Sequence, residues 1–294
     1  MNDVSNQFRE AIREAGLSPP DYFEYGRIQR FPGKGKSNNN KAGWCMLFDD
    51  GLAGCFGDWS TGFSRIWHAN NFTPLSQPEA SSIIKVKAAR LRAEKRIILL
   101  QTEAAKRAAS ILDSSIPSSH NHPYLIRKQI MPFGIKEYKE ALVLPLQDFS
   151  GNLTSLQFID MDGNKRLLKG GRKKGSFVHV AGSADEPELV IICEGWATGC
   201  TLASENNGAL VLAAIDAGNL DVVAIDARDK WPFTELLVAG DDDRLVPGNP
   251  GATKARIAAS LSSARLTLPN WPEDAPDTLT DFNDLACWLN RGSL

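Results

Sequence analysis

The chain has 294 residues, of which 43% are hydrophobic and 23% charged, and its formal net charge is −2. This is the composition of a folded globular protein, long enough for more than one hydrophobic core. No apolar run approaches the roughly 18–20 residues that a membrane span needs, and the N-terminus lacks the apolar segment of a secretory signal. Five cysteines without a Cys-x-x-Cys pair favour reduced thiols. We therefore expect a cytoplasmic protein with no membrane segment and no disulfide framework.

The charge is unevenly distributed along the chain. Residues 1–184 carry 26 Lys and Arg against 17 Asp and Glu, whereas residues 185–294 carry 7 against 18. This asymmetry indicates a polyanionic partner for the basic part, and metal chemistry or solvent exposure for the acidic part. Randomly distributed surface charge is an alternative explanation.

Residues 1–75 are predicted to form a small α+β module. An amphipathic helix over Gln7–Ala15 precedes a loop rich in Gly, Lys and Asn, and the "DDG" at 49–51 is typical of a β-hairpin. Several aromatic residues, including Trp44 and Trp59, lie near that loop. They fit the core of so small a module better, although they also fit a surface on which single-stranded nucleotides stack.

A basic region follows this module. Residues 76–118 contain a long stretch without Gly or Pro, rich in Ala, Lys, Arg and Leu, which predicts a basic helical linker. Residues 119–184 are predicted to form a basic α+β subdomain, in which two strands within 141–160 precede a Lys- and Arg-rich segment with two central glycines. The basic residues of that segment are Lys165, Arg166, Lys169, Arg172, Lys173 and Lys174.

Residues 185–294 show short apolar strands that alternate with helices. The strands are "LVIICE", "ALVLAAI", "ELLVAG" and "RLTLP", each followed by a helical stretch. This alternation predicts an α/β fold, a mostly parallel sheet with flanking helices. In such sheets, ligands bind at the carboxyl ends of the strands.

Carboxylates follow two of these strands. Glu194 ends the first strand, and Asp241 and Asp243 follow the third, so all three should converge at one edge of the sheet. Asp281 and Asp284 of "DFND" lie at the start of the last helix. Clustered oxygen ligands suit Mg²⁺ or Mn²⁺. Taken singly, Glu194 also fits a helix-start carboxylate, and the "DDD" also fits a solvated turn.

The motifs "IICEGWATG", "LLVAGDDDR" with "GNPGATKA", and "TDFNDL" together resemble the successive motifs of a Toprim domain. The preceding "ALVLPLQDFSGNLTSLQFID" and "KRLLKGGRKKGSF" are similar to the segment before Toprim in bacterial-type primases, above all those of phages and plasmids. The resemblance covers residues 120–290 well and 20–75 more loosely.

The resemblance implies roles for individual residues. Glu194 matches the Toprim glutamate, a general acid/base or metal-linked carboxylate, and Asp241 and Asp243 match the metal-binding Asp-x-Asp pair. Asp281 and Asp284 would complete the acidic rim. The basic segment would bind nucleotide phosphates or template through Lys165, Arg166 and Lys169, extended by Arg172, Lys173 and Lys174.

The chain departs from bacterial-type primases in its N-terminal module. Those proteins usually carry a zinc ribbon there, but the only Cys and His residues in this region are Cys45, Cys55 and His68, whose spacing does not match a tetrahedral site. We expect no structural zinc. How template sequence would be recognised is left open.

The resemblance implies a primase that makes short RNA primers on single-stranded DNA from nucleoside triphosphates with Mg²⁺ or Mn²⁺, in phage or plasmid replication. A Toprim nuclease is an alternative, which the basic segment disfavours, and an inactive nucleic-acid-binding adaptor is another. A topoisomerase is disfavoured because all four tyrosines precede the Toprim motifs. No Gly-x-x-x-x-Gly-Lys-Ser/Thr loop is present, so a replicative helicase would be a partner or lie elsewhere.

Overall fold

The computed structural model describes residues 2–49, 51–69 and 78–291, and side chains are described outside 2–3, 78–89 and 291. Asp50, the centre of the predicted hairpin turn, lies outside the described residues. The chain divides into two compact units, Met1–Ala88 and Ala89–Leu294. Each unit is described by itself.

The first unit is a four-stranded antiparallel sheet with one helix. Its elements are α1 (Asn2–Glu14), β1 (Gln29–Phe31), β2 (Gly43–Leu47), β3 (Ala53–Asp58) and β4 (Phe63–His68), and the strand order is β1-β2-β3-β4. Helix α1 confirms the predicted amphipathic helix. Its apolar residues at 8, 11 and 12 share one face at the spacing of an α-helix and pack with apolar residues of the sheet into a buried core.

The second unit contains two sheets. Its elements are α2 (Pro78–Asp113, from residue 89 onward), β5 (Ile116–Pro117), α3 (Pro123–Lys128), β6 (Lys136–Tyr138), β7 (Ala141–Gln147), β8 (Leu153–Ile159), β9 (Lys165–Leu167), β10 (Val178–Ala181), β11 (Leu189–Cys193), α4 (Trp196–Glu205), β12 (Leu210–Ala213), α5 (Leu220–Lys230), β13 (Glu235–Ala239), α6 (Pro250–Ser262), β14 (Arg265–Thr267) and α7 (Phe282–Arg291).

One sheet is antiparallel and the other is mostly parallel. The antiparallel sheet has the order β5-β6-β7-β8-β9, and the mostly parallel sheet has the order β10-β12-β11-β13-β14. Strands β11 to β14 pair in parallel, and only β10 runs antiparallel to its neighbour. Helices α5 and α6 contribute to the buried cluster on one face of this sheet. The predicted α/β fold with a mostly parallel sheet and flanking helices is confirmed.

The two sheets of this unit share one apolar core. Leu142 and Leu144 from β7 belong to the same buried cluster as Ile191 of β11, Val211 of β12 and Trp196 of α4. Strand β10 lies within the predicted basic subdomain, yet it pairs with β12 of the second sheet. The boundary between residues 184 and 185 stays a prediction, and the core extends across it.

Helix α2 covers the other face of the antiparallel sheet. Ala104 and Ala108 are fully buried, and Ala108 packs with Val143 and Leu156 of β7 and β8. No helix in the described ranges is both long and apolar enough to cross a membrane.

Candidate metal and phosphate site at the carboxyl edge of the parallel sheet

Three parallel strands end side by side at one edge of the sheet. Cys193, the last residue of β11, aligns with Ala213 of β12 and with Ala239 of β13. Residues that directly follow these strands therefore meet at this edge. The structure brings Glu194 and Asp241 together here, as the order of the motifs indicated.

Asp241 is the most perturbed carboxyl group of the edge. Burial raises its pKa to about 8, with further increases from the charges of Glu194, Asp281 and Asp243, and Lys165 opposes the increase. Its Oδ1 atom is buried and has no hydrogen-bond partner. A carboxylate in this position gains stability from a bound cation or from a proton.

Glu194 is coupled to the same charges. Burial raises its pKa, the backbone N–H of Ala217 opposes the increase by donating a hydrogen bond, and the charges of Asp216 and Asp243 add to it. Lys165 lowers the pKa. Glu194 thus lies between the carboxylates that follow β12 and those that follow β13.

The three consecutive aspartates after β13 have different partners. The middle one, Asp242, accepts hydrogen bonds from Asn249 Nδ2 at 2.6 Å and from Trp271 Nε1 at 2.9 Å. One oxygen of Asp243 accepts the backbone N–H of Gly251 at 2.8 Å, in the first turn of α6. Asp242 therefore fixes the loop, whereas Asp241 and Asp243 are coupled electrostatically to Glu194.

Asp281 and Asp284 are not equivalent. Burial raises the pKa of Asp281, and it accepts a hydrogen bond from the hydroxyl of Thr198. Asp284 forms an ion pair with Lys128 at 3.1 Å and accepts the backbone N–H of Thr280. The arrangement favours Asp281 over Asp284 as a member of the acidic rim, and both metal assignments stay predictions.

Sequence reasoning missed Asp216, which follows β12. It forms an ion pair with Lys173 of the basic segment and adds negative charge beside Glu194. The preceding Ile215 has a φ of 81°, which a β-branched residue rarely adopts and which costs about 1–3 kcal/mol. The strand-end rule that identified Glu194 and Asp241 would also have found Asp216 in "AAIDAG".

Lys165 is the residue of the basic segment whose charge acts on the carboxylates at this edge. Its Nζ atom lies 4.0 Å from the position that a Cβ atom on Gly195 would occupy, and it lowers the pKa of both Glu194 and Asp241. Strand β9 therefore places one cation beside the carboxylates. An exposed ammonium in this position is available to the oxygens of a phosphate group as well.

The other residues of the basic segment divide into anchored and exposed ones. Arg172 forms an ion pair with Asp148 at 2.6 Å, which ties the middle of the loop after β9 to the turn after β7. Arg166 lies over the ring of Phe158, with 6.0 Å from its Cζ to the ring centroid. The side chains of Lys169 and Lys174 are exposed.

Asn219 ties this loop to the acidic edge. Its Oδ1 accepts the backbone N–H of Gly175 at 2.9 Å, and its Nδ2 donates to the carbonyls of Ser176 and Ala214 at 2.8 and 2.9 Å. The side chain is buried. The Lys- and Arg-rich loop and the end of β12 are thus held together by one residue.

The edge has the donors that a hard divalent cation prefers. Within the described ranges, no three Asp, Glu, His or Cys side chains converge closely enough to form a metal site by themselves. Mg²⁺ is commonly held by one or two carboxylates together with water and substrate phosphates. The unpartnered Oδ1 of Asp241 and the mutual repulsion of the cluster fit such a cation.

In the first unit, Cys45 is part of the apolar core. It is fully buried between the sheet and α1, and burial raises its pKa to about 12. Thiolates are the form of cysteine that binds zinc, and this environment disfavours that form. The absence of a structural zinc stays a prediction.

Comparison with known proteins defines the class of the domain. Residues 189–289 match the Toprim domain family. The parallel sheet from β11 onward therefore lies in a region that is similar to a Toprim domain, and the Toprim resemblance found in the sequence motifs is confirmed.

The chain is also similar to particular proteins. A DNA primase TraC of Escherichia coli is 33% identical over 281 residues, 90% of this chain and 26% of the relative, and a second protein of that name and organism is 30% identical over 301 residues, covering 94% and 20%. The chain thus spans about a quarter or less of these relatives. The crystal structure of the primase fragment of the bacteriophage T7 primase-helicase protein aligns with a TM-score of 0.41 and 13% identity, covering 92% of this chain and 97% of that one.

Proposed function

We propose that this chain is the catalytic part of a DNA primase, a nucleotidyltransferase that makes short RNA primers on single-stranded DNA in phage or plasmid replication. The observation that carries the proposal is the extent of the similarity to DNA primases, which spans 90% of the chain. An aligned stretch of that length passes through residues 165–174 and 194–243, where the basic segment and most of the proposed ligands lie.

The acidic residues would hold a divalent cation. Glu194, Asp241 and Asp243 are the proposed ligands, one or two of them in direct contact with the ion and the rest through water. Asp281 would complete the rim, with Asp284 in a supporting position. Mg²⁺ or Mn²⁺ suits their oxygen donors. When bound, such a cation polarises phosphoryl oxygens and stabilises the charge of the leaving pyrophosphate.

The basic residues would bind the triphosphate and the template. Lys165 lies beside the carboxylates and would contact the phosphates of the incoming nucleotide, while Lys173 lies beside Asp216. Arg166, Lys169 and Lys174 would contact the template backbone. Because Arg172 is paired with Asp148, its main role would be to anchor the loop, and contact with phosphate would be a lesser role.

The proposed reaction joins one nucleotide to the primer at a time. The 3′-hydroxyl oxygen forms a bond with the α-phosphorus of the incoming triphosphate, and the bond from that phosphorus to the bridging oxygen of the β-phosphate breaks. Pyrophosphate leaves, and the hydroxyl proton is lost. The carboxylate of Glu194, next to the cation, would accept that proton directly or through a water molecule.

Partners and location follow from this proposal. The substrates are single-stranded DNA and nucleoside triphosphates, both found in the cytoplasm. A replicative helicase is the further partner we propose, because primers are needed where the duplex is unwound.

Primer synthesis by the purified chain tests the proposal. Single-stranded DNA of mixed sequence, labelled nucleoside triphosphates and Mg²⁺ or Mn²⁺ are supplied to the wild type and to the double variant Asp241→Ala/Asp243→Ala. Asp229→Ala, an exposed carboxylate on α5, is the matched control. We expect short labelled products from the wild type and the control and none from the double variant.

The other outcomes would contradict the proposal in different ways. Metal-dependent shortening of the DNA, without labelled products, would indicate a Toprim nuclease. DNA binding without either reaction would indicate an adaptor that has kept the fold.

A further inference from the structure

The sheet of the first unit has one covered face and one open face. Helix α1 packs on the face that carries Cys45, Leu47 and Phe56. Side chains alternate between the faces of a strand. The paired residues Arg30, Trp44 and Gly57 of β1, β2 and β3 therefore lie on the opposite face.

That open face carries an aromatic stack. The rings of Trp44 and Trp59 are stacked, with centroids 5.5 Å apart and planes at 23°, and the guanidinium of Arg30 lies 4.5 Å from the Trp59 centroid. Trp44 lies close against the backbone of Gly57, where an added Cβ would be 2.9 Å from its Nε1. Trp59 is nevertheless 52% exposed. A buried tryptophan would contribute to stability alone, whereas about half of the Trp59 side chain is open to a ligand.

The turn that carries Trp59 is held in a fixed position. Asp58, which is 1% exposed, accepts hydrogen bonds from the backbone N–H of Lys34 at 2.8 Å and from both the N–H and the hydroxyl of Ser60 at 2.8 and 2.6 Å. The N–H of Trp59 donates to the carbonyl of Ala42 at 3.0 Å. The loop between β1 and β2 and the turn after β3 are therefore joined before any ligand binds, which lowers the entropic cost of binding.

The loop between β1 and β2 is positively charged. Residues 30–48 contain one Arg and three Lys and no acidic residue. Lys34 is directed toward the C-terminal end of α1, because its Nζ lies 3.2 Å from a Cβ position on Gly16. Arg30 lies in the stack, and Lys36 and Lys41 are exposed on the loop that Asp58 anchors. A polyanion complements these charges.

We propose that the open face of the first sheet binds single-stranded DNA, with unpaired bases stacked on Trp59 and Trp44 and phosphates held by Arg30, Lys36 and Lys41. Stacked aromatics beside basic side chains are the chemistry that binds unpaired bases. Duplex DNA hides its base faces, so the exposed ring of Trp59 favours an unpaired strand. The inference rests on the proposed function, because the bound strand would be the primase template.

Binding of oligo(dT) to the full chain, followed by fluorescence anisotropy, tests the proposal. Base–aromatic stacking predicts that Trp59→Ala lowers the affinity about 5- to 150-fold. Trp59→Phe should restore most of it. Phe233→Ala is the matched control, since Phe233 is 99% exposed and lies in the second unit. Circular dichroism melting of each variant checks that the fold is intact.

Salt dependence provides a second readout that loss of structure would not mimic. Each phosphate contact contributes about −0.7 to the slope of log K against log salt for a single strand. Lys41→Ala should therefore reduce the slope by about that amount. Trp59→Ala should weaken binding at all salt concentrations and leave the slope unchanged.

Photocrosslinking locates the bound strand and separates this inference from the proposed function. A bromodeoxyuridine oligonucleotide should crosslink to peptides that contain Trp44 or Trp59, also in the Asp241→Ala/Asp243→Ala variant. Crosslinks confined to residues 165–174, or unchanged affinity in Trp59→Ala, would overturn the inference even if primers are made. Retained binding at Trp59 without primer synthesis would overturn only the proposed function.

Discussion

Replacement of Asp241 by Asn should stabilise the metal-free protein and abolish catalysis. Because burial and neighbouring carboxylates raise the pKa of Asp241 from 3.8 to about 8, the folded state holds a proton that the unfolded state releases above pH 4. The stability that this group contributes is complete below pH 4 and is lost as the pH rises toward 8. At about 1.4 kcal/mol per pH unit, the loss at pH 7 is at most about 4 kcal/mol. Since water entry and relaxation reduce such penalties, we expect Asp241→Asn to gain about 2 kcal/mol at pH 7.

Differential scanning calorimetry in the presence of EDTA, at pH 5 and pH 7, measures this effect. The neighbouring Asp242→Asn is the matched control, since Asp242 accepts hydrogen bonds from Asn249 and Trp271. It should lose about 1 kcal/mol, because one of two partly buried donors is left without an acceptor. Added Mg²⁺ should raise the melting temperature of the wild type and of Asp242→Asn, and have little effect on Asp241→Asn.

Asparagine should raise the free energy of unfolding at position 241 and lower it at the adjacent position 242. Loss of stability in Asp241→Asn, or a gain that is equal at pH 5 and pH 7, would refute this prediction. A wild-type response to Mg²⁺ that persists undiminished in Asp241→Asn would show that the cation binds elsewhere.

Three further predictions concern the residues around the edge. Lys165→Gln removes a charge that lowers the pKa of Glu194 and Asp241, so the acid limb of the pH–rate profile for primer synthesis should move to higher pH; an unmoved limb would argue against the coupling. Lys173→Ala breaks a half-exposed ion pair worth about 1 kcal/mol or less, so steady-state kinetics should show a higher KM for nucleotide with the melting temperature nearly unchanged. Asn219→Ala leaves buried backbone groups unpaired and should cost about 3 kcal/mol in urea unfolding, whereas a cost near zero would show that the loop is not held by this residue.

Much of the acidic edge could be predicted because it follows from local pattern. Apolar strands that alternate with helices specify a parallel sheet, and a parallel sheet places the residues after its strands at one edge. The strand pattern alone was enough to place Glu194 and Asp241 at this edge. The same rule would have found Asp216 had it been applied to the second strand.

The different partners of the three aspartates in the "DDD" could not be predicted from the sequence. Asp242 is satisfied by Trp271, which is 29 residues away, and Asp284 is paired with Lys128, which is 156 residues away. Nor does the sequence show that β10 pairs antiparallel with β12. Such contacts depend on how distant segments pack, and a single sequence carries no signal for them.

The shared core of the second unit limits how the antiparallel sheet and the parallel sheet can be exchanged separately in evolution or engineering. Leu142, Leu144 and Val178 lie in one buried cluster with Ile191 and Val211. A recombination crossover between residues 184 and 185 would replace one side of that interface and leave the other unmatched. Chimaeras should tolerate crossovers near residue 88, where the two compact units divide, and a transplanted catalytic edge would have to include the antiparallel sheet that precedes it.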